Sequence, residues 1–114
     1  MHKYLIFFIA HFINAYDNYN IPSNPEIKEM LYKEYKVLDK KLNLIYKKIL
    51  LEVPKKEKEN LIKSQKYWVQ YRNMECYTQS YPMRDGTGEG IIEVNCLISI
   101  TEIRIKTLKN GYVY

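Results

Sequence analysis

Between residues 31 and 49 apolar side chains return at alternating spacings of four and three, as Leu31, Tyr35, Leu38, Leu42, Ile45 and Ile49. That period predicts an amphipathic helix, because residues so spaced share one face of a 3.6-residue turn. Asn24 is a suitable N-cap with Pro25 at the first helical position, and Pro54 stops the helix near Glu52. At a rise of 1.5 Å per residue this helix is about 40 Å long. A second stripe, Leu61, Ile62, Gln65, Trp68, Val69, Arg72 and Cys76, predicts a helix starting near Glu57. The connection between the two is short, so they should be antiparallel neighbours. Gln79 to Gly90 carries Pro82, Gly86, Gly88 and Gly90 and reads as a turn or an ordered loop. A third helix beginning at Glu89 to Ile91 carries Ile92, Cys96, Leu97, Ile100, Ile103, Arg104 and Leu108. Gly111 ends it, with Lys106 and Lys109 near the negative end of its dipole. Strand alternation is hardly present; the Ile-rich run 97–105 is ambiguous, but its length and the charges of Glu102 and Arg104 favour helix. The predicted fold is all-α, a small three-helix up-down-up bundle.

The N-terminus changes how the cysteines are read. Met1-His2-Lys3 is positive, Tyr4 to Ala15 is mostly apolar, and Ala15 is a small residue before a cleavage point, the order of an export signal. The alternative is a buried N-terminal helix. A membrane span needs about 20 apolar residues, more than this run offers. The expected organisation is a signal peptide at 1–15, a polar linker at 16–25 and a helical domain at 26–110, with no transmembrane span after cleavage and a periplasmic or secreted location. In a reducing compartment Cys76 and Cys96 would stay thiols, whereas behind a signal they should oxidise. They flank one loop, at the end of the second helix and near the start of the third. A bridge between them, joining the two helices, is expected if their Cα atoms fall within about 7 Å.

Polar residues interrupt the apolar stripes. Gln65 and Arg72 do so on the second helix, Thr101 and Arg104 on the third, and Asp39, Asn43 and Tyr46 follow the stripe of the first. Buried charge needs a partner, so Asp39 should pair with Arg72 or Arg104. Such a network could be an active site, but a structural layer that sets helix register needs no chemistry. Candidate catalysts are few. His2 and His11 fall in the expected signal, the GTGEG run at 86–90 follows no strand, and two cysteines without histidine cannot complete a four-ligand zinc site. Asp39, Glu75 and Glu93 have no spacing that singles them out. No enzyme activity, metal or cofactor is expected. The formal charge is +5, and loss of Lys3 with the signal leaves +4. Lysines interleave with acids along the helices, which suits solvated faces better than a nucleic-acid stripe. The abundant tyrosines fit an Asn-, Lys- and Ile-rich compositional bias that needs no functional selection.

Three series taken together, Asp39-x-x-Leu42-Asn43-x-x-Tyr46, Leu61-x-x-Ser64-Gln65-x-x-Trp68-x-x-Tyr71-Arg72-Asn73-x-x-Cys76, and Cys96-x-x-x-x-Thr101-x-x-Arg104-x-x-x-Leu108, resemble the bacterial lysozyme inhibitor LprI-like family. The resemblance covers about residues 26–110. It implies a small exported helical domain, some of whose relatives inhibit lysozyme in the cell envelope, and it implies that the motif residues are determinants of the fold. Many relatives carry a further cysteine pair near the start of the first helix, and residues 21–35 hold none here. The resulting expectation is a binding protein that occludes lysozyme without covalent chemistry. The alternative is an envelope interaction or immunity-type module with another protein partner. Animal-type lysozymes are basic, so a partner of charge +4 gains no overall steering. The loop at Ser80 to Gly88, with Tyr81, Met83 and Arg84, is the preferred contact surface, its alternative being a plain connector.

Overall fold

The structure, a computed structural model, describes residues 24–83 and 88–112; the expected signal, residues 16–23 of the linker, and Arg84 lie outside the described residues. Three helices follow one another: α1 (Asn24–Glu52), α2 (Lys55–Ser80) and α3 (Glu89–Gly111), with a 3-10 turn at Tyr81–Met83 after α2. None of the described helices is long and apolar enough to cross a membrane.

The break between α1 and α2 is sharp because Pro54 has no amide hydrogen to continue the helix. The Val53 amide still donates to the Ile49 carbonyl at 2.9 Å, closing the last turn of α1. Pro54 then takes an extended conformation (φ −54°, ψ 145°), and its carbonyl accepts from the Glu57 amide at 2.8 Å. That bond opens α2 at Lys55, two residues before the expected Glu57.

One compact apolar cluster forms around this break. Leu42, Ile49 and Val53 meet Leu61 of α2 and Ile105 and Leu108 of α3, with Leu38, Ile45, Tyr46, Leu50, Trp68 and Tyr112 packed against them. At the opposite end the buried residues are Cys76, Ser80, Val94, Cys96 and Ile98. The Cys76–Cys96 disulfide joins α2 to α3 there, with Cα atoms 5.3 Å apart. The bundle thus has an apolar cluster at one end, a covalent staple at the other, and the polar residues of the stripes between them.

Helix α3 packs closely against both α1 and α2. Its buried face is Val94, Ile98, Thr101, Ile105 and Leu108, again at spacings of four and three. The stripe expected through Ile103 is displaced from this one, and Ile103 is 63% exposed. Because α3 carries branched apolar residues on every side, several four-and-three series run through it and only packing decides among them. On α2 the same displacement affects Ile62, which is exposed, while Leu61, Gln65, Arg72 and Cys76 are buried as expected.

Candidate functional site

The polar layer is built by one arginine from α2 and one from α3. Arg72 is buried, and its Nη1 donates to Asp39 Oδ1 of α1 at 2.9 Å and to Thr101 Oγ1 of α3 at 3.4 Å. Its Nε donates to Asn73 Oδ1 at 3.2 Å. Of the two partners expected for Asp39, Arg72 is the one that pairs with it. Arg104 turns to α2 instead, where its Nε donates to Gln65 Oε1 at 3.0 Å and its Nη2 lies 3.5 Å from Ser64 Oγ.

Trp68 binds the two arginines into one unit. The Arg72 Cζ lies 5.0 Å and the Arg104 Cζ 5.7 Å from its ring centroid, and Arg72 also sits 5.3 Å from the Tyr35 ring. Guanidinium groups stack well on aromatic faces, and the attraction is stronger where water is partly excluded. Burial raises the Tyr35 phenol above its ordinary pKa, with the Arg72 charge opposing that shift and the Asp39 charge adding to it.

A phenol whose pKa is higher in the folded than in the unfolded chain contributes full stability below the unfolded value, near 10. That contribution is lost as pH rises through the folded value. Tyrosinate absorbance of the folded protein should therefore contain one component titrating late, absent in Tyr35→Phe. A difference titration with no late component would refute this.

The other residues of the family-like motifs divide. Leu42 is fully buried in the apolar cluster and Tyr46 packs on that cluster, but Asn43 is exposed. Asp39 is engaged by Arg72, and Glu75 accepts from Gln79 on its own helix at 3.0 Å. Among the described residues no cluster of His, Cys, Asp and Glu could hold a metal ion. Among the described residues, open grooves flank the bundle at both ends. One of about 350 Å³ runs beside the disulfide along Gln79, Ile92, Asn95, Cys96, Ser99 and Ile100; the other, about 240 Å³, lies at the α1–α2 break between Val53, Leu61 and Tyr112. Ligand clefts span roughly 300 to 1,000 Å³ and enclose most of their ligand, so neither groove suits a buried small molecule.

Beside the disulfide the loop begins later than the sequence suggests. Ser80 is the last residue of α2 and fully buried, its hydroxyl donating to the Tyr77 carbonyl at 2.8 Å. Tyr81 and Met83 are exposed on the 3-10 turn, and Met83 Cε lies close to Gly88, where a Cβ would approach it to 3.2 Å. The turn is therefore closed back on the start of α3, and its side chains stand on a cross-linked base. Residues beyond the turn that sequence reasoning passed over are Tyr67, Met74 and Tyr77, exposed on α2 together with Tyr71 of the family-like series. Their signal was positional, since the stripe of buried residues on α2 already placed them on its other side.

Residues 17–108 match the family model described as Lysozyme inhibitor LprI, in line with the resemblance carried by the Trp68, Arg72, Cys76 and Cys96 series. No curated protein and no solved structure matches the chain.

Proposed function

The chain belongs to the lysozyme inhibitor LprI family, and from that membership we propose that it is an exported binding protein that inhibits a lysozyme by non-covalent occlusion. The match over residues 17–108 carries this reading. The geometry supports occlusion in two ways. The polar layer ties Arg72 to Asp39 and Arg104 to the Gln65 amide, which suits a scaffold better than a catalyst. The surface near the disulfide offers exposed side chains on a rigid base, as binding surfaces commonly do.

Export accords with the Met1–Ala15 pattern and with a disulfide that a reducing compartment would not maintain. The test is a muramidase assay against a panel of lysozymes. Purified protein should slow cell-wall lysis at no more than about tens of micromolar, the range of a weak specific complex. Undiminished activity of every lysozyme in the panel at that concentration would sink the proposal. Pull-down from envelope extracts that recovers a different protein would instead identify an interaction or immunity-type module.

A further inference from the structure

The outer side of α2 changes character along its length. Its first half presents Lys56, Glu59 and Lys63, with Lys63 paired to Glu59 at 3.2 Å. The second half presents Tyr67, Tyr71, Met74, Thr78 and Tyr81, at successive spacings of four, three, four and three. These positions lie opposite the buried Leu61, Gln65, Arg72 and Cys76, so they form one continuous solvent face. Met74 is 71% exposed and Tyr67 65%, with Tyr71, Tyr77 and Tyr81 each more than half exposed. Composition explains how many tyrosines the chain has. It does not explain three of them on the outer side of half a helix, with Tyr81 following on the turn.

Charge separates along the same axis. Above the Asp39–Arg72–Thr101 layer, residues 73–83 and 88–101 contain Glu75, Glu89 and Glu93 and no lysine or arginine. The α1 segment beside them, residues 24–38, holds three lysines and three glutamates and is balanced. Lys28 of this segment reaches Gly90 at the start of α3, which places the N-terminal part of α1 at the same end. Below the layer, residues 40–71 and 102–112 hold twelve lysines and arginines against four glutamates, a net of +8. Arg84 and Asp85 cancel. The excess positive charge of the chain thus lies in the half around the apolar cluster, and the disulfide half is acidic.

We propose that the tyrosine–methionine face of α2, from Tyr67 to Tyr81, is the docking surface for the lysozyme, and that the partner is a basic lysozyme steered by the acidic disulfide end. The inference rests on the lysozyme-inhibitor reading and adds to it the surface and the charge class of the partner. Tyrosine supplies large contact area at low entropic cost, and methionine adapts to an irregular partner surface. A basic partner is repelled by the lysine-rich half. At the disulfide end Lys28, Lys33 and Lys36 of α1 are balanced by Glu26, Glu29 and Glu34, and the net charge is negative, although the start of the face at Tyr67 borders Lys63 and Lys66. Net charge summed over the whole chain offers a basic partner no steering, and it is the uneven distribution along the bundle that the proposal relies on.

The test uses protein expressed from the full-length coding sequence and purified as it accumulates, with basic hen-type lysozyme as the probe. Tyr71→Ala and Met74→Lys replace exposed side chains and should melt like the parent. Each should weaken binding by about tenfold to a hundredfold, the size of a hot-spot loss. Lys56→Glu, on the far half, should leave binding unchanged or tighten it, and added salt should weaken the parent complex. If the parent binds and both α2 variants bind equally well, the face is overturned while the inhibitor reading stands. If the parent binds no basic lysozyme but binds an acidic one, the charge assignment is overturned. If it binds none, the inhibitor reading fails and this proposal with it. Sedimentation of the free protein adds one more outcome: a dimer split by Met74→Lys would show that the face serves self-association, against the proposal.

Discussion

Arg72→Ala should destabilise the bundle by about 3 kcal/mol, the lower end of what removing one partner from a buried ion pair costs. The lower end applies because the Asp39 side chain keeps 33% of its exposure and regains some hydration when unpaired. The loss has two parts. Asp39 and Thr101 each lose a donor, and the guanidinium leaves the Tyr35 and Trp68 rings between which it packs. Arg72→Met keeps most of the stem and should recover part of the packing, and combining it with Asp39→Ala removes the orphaned carboxylate. The double variant should therefore be more stable than the sum of the single losses predicts. Urea midpoints at constant m-value would measure this. A cost below about 1 kcal/mol for Arg72→Ala would show that the pair behaves as an ordinary surface contact.

Replacing both Cys76 and Cys96 by serine should cost a similar amount for a different reason. Their separation is 20 residues, and closing a loop of that size removes unfolded-state entropy corresponding to about 3 kcal/mol. For a domain of this size that is a fall in melting temperature of more than about 10 °C. The loss should also be uneven. The apolar cluster lies at the α1–α2 break, so amide protection should fail first at 81–83 and 88–92 and persist around Leu42, Leu61 and Leu108. An unchanged melting temperature, or protection lost equally at both ends, would contradict this division of labour.

Much of this arrangement can be read from the chain because α1 and α2 each have a one-sided pattern. Leu42 and Ile49, or Gln65, Arg72 and Cys76, recur at helical spacing with polar neighbours, and each set marks one face. Two cysteines beside one loop leave few places for a bridge. Helix α3 resists the same treatment, since Ile91, Ile92, Val94, Leu97, Ile98, Ile100, Ile103 and Ile105 cover its whole circumference. A helix packed on two sides has no single stripe, and Ile103 was assigned inward on that account. Ser80 misled for another reason: it follows a glutamine and precedes a Tyr-Pro turn, so its local sequence suits a loop although tertiary packing buries it. The exposed side of α2 is simply the complement of its buried stripe, and the uneven charge follows once each lysine and glutamate is placed on its helix.

The central position of α3 also bears on how the chain comes to be folded. Leu42, Ile49 and Leu61 are closed over by Ile105 and Leu108 of α3, which follows α1 and α2 in the chain. Until those residues are available, α1 and α2 share little more than a turn and the Asp39–Arg72 contact. A chain in which α3 has not yet docked consequently lacks the apolar layer that closes the cluster. Collapse and disulfide formation therefore both wait on α3, which supplies Ile105 and Leu108 to the one and Cys96 to the other.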